Sequence, residues 1–227
     1  MHPTCLILFG APGSGKGTQA KLLAGRCVKG PHISTGDILR EHVQRGDDLG
    51  FGVAAIMASG QLVPDELVSR LVRERIGRPD CRNGFILDGY PRTVPQAKLL
   101  AGMLDGRGFD CVVIHLKVDY NKVIARLSGR RLCPQCGALY SVAPNAPTIS
   151  EVCDYDGARL MIRDDDREEV VRERLETYAK QTLPLLTYFR EEPGCRFVEV
   201  DGTAGGPHTV VKEICAQLEK IRRSEPG

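Results

Sequence analysis

At 227 residues the chain suits one α/β domain with a modest insertion, long enough to bury a full core. Apolar residues make up 42% and charged residues 26%, and the net charge of +2 gives no sequence-wide basic field that would point to nucleic acid or a membrane surface. The longest apolar run near the N-terminus is about five residues, too short for a signal-peptide core or a membrane span, so the expected compartment is the cytoplasm.

An apolar, β-branched run from Cys5 to Phe9 reads as the first strand; GAPGSGKGT, Gly10 to Thr18, follows it, and an amphipathic segment from Gln19 to Arg26 follows that. Further strands are expected around His32, over Phe85 to Asp88, over Cys111 to Leu116 and over Phe197 to Val200. Helices are expected to begin at Gly15, Thr35, Pro64, Val94, Tyr120, Asp166 and Gly206. Apolar runs alternating with helical patterns imply a parallel sheet with crossover helices. Ligands of such sheets bind beyond the carboxyl ends of the strands, and three loops with chemical character fall on that edge.

The first is the glycine-rich loop. Glycine lets the backbone curl so that successive N–H groups face one concave nest, and the next helix adds its unpaired amides. Gly13, Ser14, Gly15, Lys16, Gly17 and Thr18 are the candidate phosphate-binding residues, with Lys16 bringing a full charge to the β- and γ-phosphates. The residue after the lysine is Gly17, and the hydroxyl arrives one place later at Thr18. A direct hydroxyl contact to magnesium is therefore not expected, and another group must anchor the ion.

The second loop is STGDILR, Ser34 to Arg40. Ser34 or Thr35 can cap a helix, Asp37 suits its first turn, and Arg40 one turn on makes a second anion site. The third is DGYPR, Asp88 to Arg92, with Gln96 one turn beyond. Asp88 ends an apolar strand, where a carboxylate is costly unless it holds a cation or a network; there it suits a Walker-B-like role around hydrated Mg2+. Pro91 fixes the turn that aims Arg92.

Nine cysteines, an odd number, argue against a complete disulfide framework. Cys5, Cys111 and Cys215 read as small buried hydrophobes, while Cys27, Cys81 and Cys195 fit no pattern. Cys133, Cys136 and Cys153 stand apart, in a Pro- and turn-rich segment carrying CPQC and then CDYD. Asp156 falls at the spacing of a fourth ligand, with Asp154 the fallback, giving a closed structural Zn2+ site. The segment has too little apolar content to fold by burial, so metal binding would supply its folding free energy. Arg126, Arg130 and Arg131 precede this insertion and Arg163 and Arg174 follow it, as in a lid that lowers cations onto phosphates.

Two phosphate sites joined by arginines, with no candidate general base, imply transfer of a γ-phosphoryl group to a monophosphate, whose oxygen is already ionised. GAPGSGKGT, STGDILR, QLVPDE, DGYPRT with Gln96, RLSGRR, IRDDD and VDGT occur in the order and spacing of adenylate kinases, which the chain resembles along essentially its whole length. The long lid with its cysteine knuckles is similar to the zinc-bearing form found in many bacteria.

The resemblance implies a P-loop NTPase-like core of five parallel strands with helices on both faces, formed by 1–33, 64–128 and 167–227. It also implies a small helical NMP-binding domain over 34–63 and a zinc-knuckle lid over 129–166. Gly13 to Thr18, Arg126, Arg130, Leu139, Tyr140 and Ala204 then match ATP-binding positions. Thr35, Arg40, Gln61, Leu62, Val63, Gly89, Tyr90, Pro91, Arg92 and Gln96 match the AMP site, with Gln96 reading the adenine edge. Lys16, Arg92, Arg130, Arg163, Arg174 and Asp88 are the expected catalytic set, Arg163 and Arg174 also closing over the acceptor. Ala204 stands where many relatives have lysine, which leaves the choice of ATP or GTP as donor open. The substrates are thus expected to be ATP and AMP, the cofactors Mg2+ and a structural Zn2+, and the state a monomer. The alternatives are a GTP–AMP or other nucleoside monophosphate kinase and, from another class, a zinc-knuckle nucleic-acid binder or nucleotide sensor. The near-neutral charge and the lack of aromatics interleaved with the knuckles argue against the last.

Overall fold

A computed structural model describes residues 3–141, 146–191 and 194–223. The chain runs through β1 (Thr4–Phe9), α1 (Lys16–Leu23), β2 (His32–Ser34), α2 (Thr35–Arg45), α3 (Asp48–Ala58), α4 (Asp65–Ile76), β3 (Gly84–Asp88) and α5 (Val94–Leu104). It continues with β4 (Asp110–Lys117), α6 (Tyr120–Ser128), the short strands β5 (Arg131–Leu132) and β6 (Leu139–Tyr140), α7 (Glu168–Thr177), α8 (Leu185–Glu191), β7 (Cys195–Asp201) and α9 (Pro207–Arg223).

Five strands form one parallel sheet in the order β2-β3-β1-β4-β7. The central strand β1 is buried along its whole length because helices cover both faces. Its side chains alternate between two cores. Cys5, Ile7 and Phe9 join Phe85, Leu87 and Val113 under α4, α5 and α8, whereas Leu6 and Leu8 join Ile86, Val112 and Ile114 under α1 and α9. This period of two on apolar strands is what fixes the register. Ser34 and Leu8 both pair with Asp88, so the ends of β2, β1 and β3 lie side by side at the carboxyl edge.

Between β2 and α4 the sequence pattern predicts one helix, and the structure has two. Gly46 closes α2 in the left-handed conformation (φ 62°), and Asp47 caps α3 by accepting the Gly50 N–H at 2.9 Å. The segment read as one helix from Asp166 is also divided. A 3₁₀ turn spans Asp164–Asp166, α7 gives way to a π-helical turn over Tyr178–Thr182, and α8 follows Pro184.

The expectation that Cys111 and Cys215 are merely small buried hydrophobes is corrected. Cys111 forms a disulfide with Cys195 across the adjacent strands β4 and β7, and Cys215 of α9 forms one with Cys27, with Cα separations of 4.7 and 5.8 Å. The first ties the edge strand β7 to β4, and the second ties α9 to the turn after α1. Cys5 and Cys81 are buried free thiols. Beyond α6, β5 and β6 pair antiparallel and carry a small core of their own built on Cys133, Tyr140, Cys153 and Leu160. Residues 142–145, inside the expected lid, lie outside the described residues.

Candidate active site

The phosphate loop runs from the end of β1 into α1. Gly15 takes the N-cap place in the left-handed region (φ 98°), which leaves the first amides of α1 without a side-chain cap and open to a ligand. Lys16 folds back so that its ammonium donates to the carbonyls of Gly10 and Ala11, each at 2.8 Å. Burial lowers that ammonium from 10.5 to about 8; Asp88 opposes the shift, and Arg92, Arg174 and Arg130 add to it. Ser14 is buried at 2% exposure with no partner for its Oγ among the described residues. A buried polar group left in this way marks a place for a ligand. Thr18 is exposed.

Asp88 reaches the same point from β3. Its Oδ2 lies 3.3 Å from His32 Nε2, and a Cβ placed on Gly17 would come within 3.2 Å of that oxygen. The glycine after the lysine therefore makes room for the carboxylate. Asp88 accordingly fits the need for an anchor in place of the missing Ser or Thr: an acceptor-only group beside a phosphate nest, suited to an ion that keeps several waters.

The turn after β3 shapes the second half of the site. Gly89 has φ 80°, and a Cβ there would meet Thr35 Oγ1 at 2.9 Å. Thr35, 4% exposed, donates to the Gly89 carbonyl at 2.9 Å, and Arg92 Nε donates to the same oxygen at 3.0 Å. Tyr90 is buried, and Tyr90–Pro91 is cis. Gln96 accepts the Arg92 N–H at 2.7 Å, which joins the arginine's backbone to the start of α5. Arg40 pairs with Asp37 on α2 and approaches Asp165 at 3.9 Å. At the end of α3, Gln61 is exposed, Leu62 half-buried and Val63 buried.

The third part comes from the end of α6 and the segment beyond it. Arg126 donates to the carbonyls of Ser14 (3.3 Å) and Gly202 (3.1 Å), bridging the phosphate loop and the turn after β7 that carries Ala204. Arg130 and Arg174 converge on the buried Asp166 at 3.4 and 2.9 Å, and Arg174 also reaches Asp165 at 3.2 Å. Burial lowers Arg163 to about 10, with Arg40 and Arg130 acting the same way, and its Nε has no partner among the described residues. Burial and Arg174 likewise lower Arg92 to about 10. Burial pushes Asp165 up, but Arg174, Arg40, Arg163 and Arg130 hold its carboxyl below the ordinary value.

Six cations, Lys16, Arg40, Arg92, Arg130, Arg163 and Arg174, thus lie in one another's fields and, among the described residues, face the carboxylates of Asp88, Asp165 and Asp166 besides the local Asp37 partner. An excess of crowded, partly buried cations is a cradle for several phosphates. His32 and the Asp165–Asp166 pair escaped the reading of single residues. The acidic run IRDDD between the arginines was the signal for the aspartates.

A match to the family model for adenylate kinase covers residues 8–193. The chain belongs to the adenylate kinase family. It is 48% identical to the adenylate kinase of Anaeromyxobacter dehalogenans over 92% of this chain and 98% of that protein. It is 46% identical to that of Methanocella arvoryzae over 86% of this chain and 90% of the other, and 49% identical to that of Syntrophotalea carbinolica over 87% and 90%. The chain is accordingly a nucleoside monophosphate kinase, and among the described residues no helix is long and apolar enough to cross a membrane.

The knuckles after β5 and around β6 gather the ligand set expected from the sequence. One ligand atom from each of Cys133, Cys136, Cys153 and Asp156 lies within 4.8 Å of all the others. Cys133 Sγ is 3.2 Å from Asp156 Oδ2, and Cys136 Sγ is 3.5 Å from Cys153 Sγ. Bonds of about 2.3 Å to sulfur in a tetrahedron put its edges near roughly 3.8 Å, so the four atoms fit one zinc ion after small adjustments. Asp154, the fallback, instead accepts the Thr148 N–H at 2.9 Å. Tyr140 belongs to the same small core: its hydroxyl accepts the Asp154 N–H at 2.8 Å. Leu139 precedes it, half-buried in the hairpin.

Proposed function

We infer that this chain transfers the γ-phosphoryl group of ATP to AMP, giving two ADP, with Lys16, Arg92, Arg130, Arg163 and Arg174 as the cations that act on the transferring group. The observation that carries this reading is the convergence of those side chains on one edge of the sheet, between a phosphate nest and the Thr35–Gly89–Arg92 turn. Transfer between two phosphates needs no base, because the acceptor oxygen is already ionised; it needs charge neutralisation, alignment and exclusion of water. Gly13 to Thr18 hold the donor phosphates. Arg126, Ala204 and the β5–β6 hairpin at Leu139 and Tyr140 flank the donor nucleoside. Thr35, Arg40, Gln61 to Val63, Gly89 to Arg92 and Gln96 hold AMP.

Asp88, with His32 beside its carboxylate, would hold hydrated Mg2+. When bound, the ion neutralises charge on the donor's β- and γ-oxygens. Zn2+ at Cys133, Cys136, Cys153 and Asp156 is structural, since four protein ligands close its shell. In this reading 34–63 close over the acceptor and 129–166 over the donor, keeping water from the phosphoryl group. The protein works as a cytoplasmic monomer. The test is ADP formation from MgATP and AMP, with GTP as a second donor and CMP, UMP and GMP as rival acceptors. Fast turnover with ATP and AMP alone is expected. Equal turnover with every acceptor would remove the role given to Gln96.

A further inference from the structure

The Gln96 amide, the group this reading offers to the acceptor base, is held by the protein at both ends. The residue is 2% exposed. Its Oε1 accepts the Arg92 N–H at 2.7 Å, and its Nε2 donates to Asp65 Oδ1 at 2.7 Å. These partners dictate which end is which. A backbone N–H can only donate and a carboxylate can only accept, so a turned amide would oppose donor to donor and acceptor to acceptor. Asp65 is itself fixed, because its Oδ2 accepts from Thr93 Oγ1 at 2.7 Å. Thr93 in turn caps α5 through the Gln96 N–H, and the buried Tyr90 hydroxyl stands 3.1 Å from the Gln96 carbonyl.

An amide carries two N–H donors and two oxygen lone pairs. With one of each in use, one donor and one acceptor remain, in an order that cannot be exchanged. Adenine presents an acceptor at N1 beside a donor on N6, which suits that order. A 6-oxopurine presents a donor at N1 beside an acceptor at O6, the reverse. It would be met only after the amide turned, which Asp65 and the Arg92 N–H oppose together.

We propose that Asp65 is the specificity-determining positioning residue of the acceptor site: by locking the Gln96 amide it makes the site select a 6-aminopurine monophosphate over a 6-oxopurine one. The inference rests on the reading that this site holds AMP. Asp65 touches no substrate; it acts through Gln96. The plainer role, a staple between the first turns of α4 and α5, would affect every acceptor alike.

The experiment compares the full chain with Asp65→Leu, Asp65→Asn and Gln96→Ala, measuring kcat and KM for AMP and for inosine monophosphate at saturating MgATP, with a thermal melt of each. Asp65→Leu is expected to lower the AMP-to-inosine-monophosphate ratio of kcat/KM at least about tenfold, mainly through a higher KM for AMP. Asp65→Asn should fall between Leu and the parent, because the Thr93 hydroxyl both donates and accepts and lets an Asn amide sit either way. If Asp65→Leu does not fold, Asp65→Asn carries the test alone. A lower melting temperature with an unchanged ratio in a folded Asp65 variant overturns the proposal in favour of the staple. If Gln96→Ala abolishes the preference while both Asp65 variants keep it, the inference fails alone. If the parent shows no preference, or Gln96→Ala leaves it intact, the assignment of Gln96 to the base fails, and the inference with it.

Discussion

Lys16 gives the site a pH limit on its alkaline side. Burial brings its ammonium from 10.5 down to about 8, and three neighbouring arginines act in the same direction. The charged form is the one that can meet a γ-phosphate, so activity is present below that value and is lost as pH rises through it. With a midpoint of about 8, roughly nine-tenths of the free enzyme carries the charge at pH 7 and about one-tenth at pH 9. The measurement is the initial rate from pH 6 to 10 with ATP and AMP both well below saturation, which reports groups of the free enzyme. A fall of about tenfold between pH 7 and 9 is expected. The phosphates' own last ionisation lies near about 6, below this window.

Deprotonation of Lys16 does not itself destabilise the fold. Between about 8 and the unfolded value the unfolded chain binds the Lys16 proton and the folded chain does not, so this residue makes stability rise with pH there. Lys16→Arg, whose guanidinium stays charged, should flatten the curve at a lower absolute rate. A parent curve that stays flat to pH 9.5, or a bend near 8 that persists in Lys16→Arg, would refute the assignment.

Arg92→Ala should lower kcat by about a hundredfold or more, with a circular dichroism spectrum like that of the parent, since charge aimed at the transferring group is lost; a rate within a fewfold of the parent would remove Arg92 from the chemistry. Chelation, or Cys133→Ser, should release zinc and lower the melting temperature while sparing much of the rate per folded molecule. Identical melts with and without chelator would sink the structural zinc. Reduction should destabilise the fold, because the two disulfides close spans of 188 and 84 residues. Each bond is worth about 2–4 kcal/mol, which is roughly 4–16 °C in melting temperature at this chain length. Four free thiols at Cys27, Cys111, Cys195 and Cys215 in the native protein, by mass spectrometry after alkylation, would contradict the pairing.

The strands and the three edge loops were legible because their signals are local: an apolar run, a glycine cluster and a turn proline lie within a few residues of one another. The grouping of Cys133, Cys136, Cys153 and Asp156 was legible for the same reason, their spacing being short and chemically specific. The break between α2 and α3 depends on one left-handed glycine, Gly46, followed by a capping Asp47, a signal easily lost in a periodic stretch. The disulfides were hidden because Cys111 and Cys195 meet only once β4 and β7 are known to be neighbours. Asp65 was hidden in a different way. Its place at the start of α4 reads as ordinary first-turn charge, and only the fold brings it against Gln96, 31 residues on. The same holds for Asp166, whose burial between Arg130 and Arg174 no count of charges reveals.

In the proposed reaction the phosphoryl group passes directly between two bound nucleotides. A single-turnover reaction of γ-labelled ATP with unlabelled AMP, quenched and resolved by nucleotide, tests it most directly. The label should appear in ADP, at the β-position of the molecule made from AMP, with little free phosphate. Label recovered chiefly as inorganic phosphate, whether or not AMP is present, would mean that water is the acceptor and would contradict it.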